Sequence, residues 1–166
     1  MLPSITMKPG FRSCKPVPLG FVIVSVTTVT QHSMKPSAIY DLLIDAMEEH
    51  LPHGWTIARL NVQFLTNGQD VEFSGTYLDE NGEVQPLTTD FNDEVTEAVQ
   101  SLYQVRKSDG QPRANTLQLD LTAAGQYTTA YSWDQEIQDE DDHFSSGGTA
   151  REWQAIREAR YGPTPE

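Results

Sequence analysis

From Ala58 to Phe64 apolar and polar residues alternate one for one. Ala58, Leu60, Val62 and Phe64 fall on one side and Arg59, Asn61 and Gln63 on the other. A period of two sends successive side chains to opposite faces, so this stretch reads as a half-buried strand that needs an apolar layer over it. Asn67-Gly68 follows as a hairpin turn, both residues tolerating positive φ. The return strand carries Val71, Phe73, Gly75 and Tyr77 on one face. After the turn Asp79-Glu80-Asn81-Gly82, Val84 to Leu87 forms a short third strand that Pro86 confines to an edge. Leu117, Leu119 and Leu121 alternate again, Ala124-Gly125 turns the chain, and Tyr127, Thr129, Tyr131 and Trp133 alternate on the way back.

The covering layer is visible as helical spacing. Ser37 reads as an N-cap after Pro36, leading into Ile39, Leu42, Leu43, Ala46 and Met47 until Pro52 and Gly54 end the helix. Thr89 or Asp90 caps a second helix with Phe91, Val95, Ala98, Val99, Leu102 and Val105 as its stripe. Arg106 and Lys107 stand at its end, where the helix dipole favours cations. The order α-β-β-(β)-α-β-β-α lacks βαβ alternation. It predicts an α+β fold: an antiparallel sheet of four to five strands with helices packed mainly on one face. A length of 166 residues suits one such domain.

Charge divides the chain. No Asp or Glu precedes Met34, and Lys8, Arg12 and Lys15 make residues 1–33 basic; residues 34–166 hold all 24 acids against the remaining 8 of 11 bases, a formal −16. The leader has an apolar run, Leu19 to Val26, but Thr30-Gln31-His32-Ser33 is a poor cleavage site and the run is too short to span a membrane. We read residues 1–33 as a disordered leader or as sequence upstream of a true start at Met34. Cys14, the single cysteine, reads as inert. The acidic balance argues against direct nucleic-acid binding, which needs clustered cations.

Chemistry-bearing motifs are sparse. The run Asp139-Glu140-Asp141-Asp142-His143 fits neither the calcium-loop spacing nor the separated acids of two-metal sites, and reads as a solvated acidic loop. His50 and His53 have Pro52 between them and no third ligand nearby. No G-x-S-x-G turn or phosphate-binding glycine loop is present. The sequence therefore predicts no enzyme, no cofactor and no metal. The aromatic faces Trp55/Phe64/Phe73 and Tyr127/Tyr131 read as sheet core. Trp133, beside the acidic run, reads as a candidate interface anchor. Ser145 to Gly148 reads as a flexible linker, after which Thr149 caps a short helix with Trp153, Ile156 and Tyr161.

The segments Ile39-Tyr40-Asp41-Leu42-Leu43, Leu51-Pro52-His53-Gly54-Trp55 and Gly125-Gln126-Tyr127-Thr128-Thr129-Ala130-Tyr131-Ser132-Trp133-Asp134 together resemble the YezG-like immunity (antitoxin) family of polymorphic toxin systems. The resemblance spans roughly residues 34–142, with residues 34–144 as the domain and residues 145–166 outside the pattern. It implies a cytoplasmic, non-enzymatic protein that binds a secreted nuclease toxin stoichiometrically. A nuclease surface is basic, and carboxylates arrayed like phosphates would match it. On that expectation Asp134, Glu136, Asp139, Glu140, Asp141 and Asp142 supply charge, with Trp133 and Phe144 as anchors. The competing expectation is an acidic adaptor or chaperone-like domain for a basic partner; an unrecognised hydrolase is a third. No membrane partner is expected, and oligomeric state is left open.

Overall fold

The computed structural model describes residues 34–164, so the expectations for the leader, Cys14 and His32 lie outside the described residues. Helix α1 (Pro36–His50) starts on proline rather than on a serine cap. Pro36 presets the helical φ at the first position and holds Lys35 extended before it, so Ser37 lies within the first turn.

Five strands follow: β1 (Ile57–Leu65), β2 (Asp70–Leu78), β3 (Val84–Pro86), β4 (Thr116–Thr122) and β5 (Tyr127–Ser132). They form one antiparallel sheet in the order β3-β2-β1-β4-β5, with Pro86 on its edge strand. The alternating runs meet in register at its centre. Ala58, Leu60 and Val62 face Leu121, Leu119 and Leu117, and all six are buried. Across the other edge Leu60 faces Gly75, where a side chain would collide with Leu87 and with the Arg59 carbonyl. Gly75 thereby leaves room for Leu87 to close the core.

The β1–β2 connection is wider than the two-residue hairpin that Asn67-Gly68 suggests. Leu65 pairs with Asp70, leaving Thr66 to Gln69 as the turn, with Thr66, Asn67 and Gly68 all at positive φ. The reason is Tyr103: a Cβ on Gly68 would sit 2.3 Å from its ring. The turn is moulded onto the second helix, and Gln104 Nε2 donates to Asn67 O at 3.3 Å.

That helix, α2 (Asp93–Ser108), begins later than Thr89 or Asp90. Asn92 caps it, accepting from Val95 N at 3.0 Å. Phe91 is therefore not part of the stripe. It packs edge-on to Phe73 and stacks on His50, tying the end of α1 to the sheet. Ile39, Leu43 and Met47 of α1 and Val95, Val99 and Leu102 of α2 join the inward residues of β1 and β4 in one core. This is the expected α+β arrangement, with the two long helices on one face.

The correction lies after β5. Residues 139–142 are not a loop: they belong to α3 (Gln135–Ser145), which turns through Ser146 to Thr149 into α4 (Ala150–Tyr161). Residues 145–148 are thus the end of one helix and a tight turn. Side chains replace the missing apolar period. Asp134 caps α3 by accepting from Glu136 N and Ile137 N, and Gln135→Asp139 and Gln138→Asp142 hydrogen bonds staple successive turns. Thr149 and Glu152 form a reciprocal capping box on α4, as the Thr149 cap predicts. No helix among the described residues is long and apolar enough to cross a membrane.

Candidate functional site

The six acids expected to carry charge sit on or just before α3, and the fold uses them differently. Asp134 is held at both ends of its peptide by Asn115, a buried side chain: Asn115 Nδ2 donates to Asp134 O and Asn115 Oδ1 accepts from Asp134 N, both at 2.7 Å. With its carboxylate capping α3, Asp134 is a structural joint. Glu136 is paired with Arg157 of α4 at 2.5 Å. Asp139 accepts from Tyr161 Oη at 2.7 Å, from Gln135 Nε2 at 2.8 Å and from Arg160. These donors, Tyr161 foremost, lower its carboxyl to about 2. Two of the six acids, Glu136 and Asp139, are therefore compensated by cations of α4.

What remains faces the sheet. The far side of β1 carries Gln63 and Leu65, and Glu72 sits opposite Gln63 on β2. These three and Ile137, Glu140, Asp141 and Phe144 of α3 line a cavity of about 300 Å³. Asp141 anchors it, one carboxylate oxygen accepting from Thr66 N at 2.9 Å. Glu140 is raised above the ordinary carboxylate range by partial burial first, then by the carboxylates of Glu136 and Glu72. No Lys or Arg lines the cavity. Phe144 is 43 % exposed at its side. Asp142 is exposed, and its carboxylate is bonded only to Gln138 of its own helix and to nothing basic.

The structure thus brings Glu140, Asp141 and Phe144 together and assigns Asp134, Glu136 and Asp139 to holding α3 in place. Trp133 does not line this cavity. Its ring lies under Arg113, with Cζ 3.5 Å from the centroid, and its indole N–H donates to Gln135 at 3.1 Å. Glu72 was missed by sequence reasoning, though a signal existed: with Val71 and Phe73 turned inward, strand alternation sends Glu72 to the opposite face. Asn115 left no such signal, since its role depends on the position of Asp134 in space.

The arrangement offers hydrogen-bond acceptors and negative charge around a small apolar patch of Leu65, Ile137 and Phe144. Among the described residues no group of three or more His, Cys, Asp or Glu side chains is placed to share a metal ion. No protein-family model matches this chain, and comparison with curated proteins finds no match either.

Proposed function

We propose that this chain is an immunity protein that neutralises a cognate secreted nuclease toxin by forming a stoichiometric complex through the acidic face of α3, without catalysis, in the cytoplasm of the producing cell. The observation that carries the reading is the cavity of Glu72, Glu140 and Asp141 beside exposed Phe144. Glu72 and Glu136 act as like charges on Glu140, with only Arg157 of α4 opposing them, and no Lys or Arg lines the cavity itself. A lysine or arginine from a basic partner would relieve that crowding, and Phe144 supplies an apolar contact to desolvate the pair. The resemblance of residues 39–43, 51–55 and 125–134 to YezG-like immunity proteins supports the same reading.

Coexpression tests it. The C-terminal domain of the protein encoded beside this chain's gene is induced with and without the chain, and growth and nucleic-acid integrity are followed. Rescue by the native chain, lost with Glu140→Lys and Phe144→Asp together, is the expected result. A non-toxic basic neighbour that still binds the same face would favour the adaptor reading. A neighbour that remains lethal in the presence of the chain would overturn the proposal.

A further inference from the structure

The cations of this acidic chain are distributed unevenly. Arg59, Arg157 and Arg160 each have a carboxylate partner. Arg106, Lys107 and Arg113 form no ion pair among the described residues, and all three line one cavity of about 290 Å³ at the C-terminal end of α2. The cavity has aromatic walls from Phe64, Tyr103 and Tyr131, and no Asp or Glu lines it. In a chain with formal charge −13, three cations gathered without one acid reverse the average surface.

Two of these cations are pre-oriented. Arg106 Cζ lies 3.6 Å from the Tyr131 ring centroid, and Arg113 Cζ lies 3.5 Å from that of Trp133. Stacking holds a guanidinium by its face and leaves its N–H edge to donate, the edge that forks onto a carboxylate or phosphate; in Arg106 one edge nitrogen, Nη2, donates to Pro112 O at 3.4 Å and the others remain available. The dipole of α2 accounts for placing Arg106 and Lys107 at its end. It does not account for Arg113, which arrives from the following loop, or for the ring-lined wall. Tyr131 is itself fixed from behind by a 2.5 Å hydroxyl–hydroxyl hydrogen bond with Tyr40, and Tyr103 is seated by Gly68.

We propose that this cavity binds a small organic anion: a carboxylate or phosphate head held by Arg106, Lys107 and Arg113, on an aromatic or heteroaromatic body laid against Tyr103 beside the Arg106–Tyr131 stack. A volume of about 290 Å³ is at the lower end of ligand clefts and suits one ring system or a mononucleotide rather than a polymer. The site shares no lining residue with the acidic cavity, and Phe64 faces the opposite side of the sheet from Gln63 and Leu65. It therefore stands independently of the toxin-binding reading.

The test is a titration of the full chain, followed by calorimetry and by amide chemical shifts, with inorganic phosphate, indole-3-carboxylate and adenosine 5′-monophosphate. One ring-bearing anion should saturate at 1:1 and bind about tenfold more tightly than inorganic phosphate, with shifts centred on Tyr103, Arg106, Ala114 and Tyr131. Which of the two it is assigns the head group. Arg113→Gln should weaken that binding by about tenfold, the worth of one charge-assisted contact. Removing Arg106 also uncovers Tyr131, so the exposed Lys107→Gln is the second variant, expected to weaken binding about threefold with Tm unchanged. Absence of saturable binding by either ring-bearing anion at millimolar concentration would overturn the proposal. So would affinity that both variants leave unchanged, or binding confined to polyanions such as single-stranded DNA.

Discussion

At the scale of single residues, Asn115 and Glu140 illustrate opposite uses of a polar side chain. Asn115 is 2 % exposed, and its two 2.7 Å hydrogen bonds satisfy both backbone groups of Asp134, from which α3 departs. Replacing it with alanine takes the partner from the Asp134 N–H, while Asp134 O keeps the bond from Gln138 N at 3.3 Å, and the cost expected is about 1–2 kcal/mol. Urea unfolding at neutral pH measures that loss, and faster amide exchange confined first to Glu136–Gln138 would place it at the joint. Glu140 carries the opposite sign. Its folded-state pKa is raised, so its ionised form is less favourable in the folded chain than in the unfolded one. The penalty is complete above the raised pKa and disappears as the pH falls through it to the ordinary carboxylate value. Glu136 and Glu140 are also like charges four residues apart on one helix, an arrangement that costs about 0.2–0.5 kcal/mol. Glu140→Gln should therefore raise Tm by about 1 °C at pH 7 and by nothing measurable at pH 3, as read by calorimetry.

Among the elements, the hairpin of α3 and α4 stands outside the main core, although Asp141 and Asp134 tie it to Thr66 and Asn115. Trp153 is 6 % exposed and forms the hairpin's own apolar contact, its ring centroid 5.9 Å from that of His143, and it is not part of the core shared by α1, α2 and the sheet. Gly148 permits that closeness, since a Cβ there would meet the His143 ring at 2.2 Å. Trp153→Ala should cost about 3–5 kcal/mol where it acts. Exchange protection should fall through residues 135–161 while the amides of β1 and β4 keep theirs; an even loss across the sheet would show that the hairpin is not a separate cooperative unit. The same contrast explains what could be read in advance. β1, β4 and α2 announce themselves because burial on one face imposes a period on their residues, and Leu60 opposite Leu119 is the consequence. The acidic helix carries no such period over Asp139 to Asp142. What makes it helical is a cap from Asp134, staples from Gln135 and Gln138, and cations from α4 more than twenty positions away, none of which a local pattern encodes. Glu140 and Phe144 are identifiable in the sequence by residue type, as an acid and an aromatic in the segment after β5. Their meeting with Glu72 was not, because it depends on α3 folding back over the far side of β1 and β2.

For the molecule as a whole, what matters is which charges are available to an outside partner rather than how many there are. The exposed acids of α1, Asp41, Asp45, Glu48 and Glu49, flank a helix that covers the other face of the sheet, so they contribute mainly to the long-range field. Asp139 is spoken for by Arg160 and Tyr161, and Glu136 by Arg157. Glu72 and Glu140 line a cavity that no Lys or Arg lines, and only Arg157 opposes the like charges on Glu140, so in the proposed complex these two are the acids placed to steer a basic surface. Exposed charges act over a Debye length of about 10 Å at 0.1 M salt, so their influence on encounter weakens as ionic strength rises. With the toxin domain as partner, the paired variant Glu72→Gln/Glu140→Gln should slow association about tenfold at low salt, a difference that narrows toward nothing near 1 M, when followed by stopped-flow fluorescence. Asp139→Asn changes the charge by one outside the cavity, leaving Arg160 unpaired, and should slow association by clearly less than about threefold, because steering by the cavity acts at short range. If Asp139→Asn slowed encounter about threefold, the share of one charge out of the paired variant's two, net charge alone would govern binding and the cavity would have no special part in it. Equal rates for all three proteins would move the interface off α3 altogether.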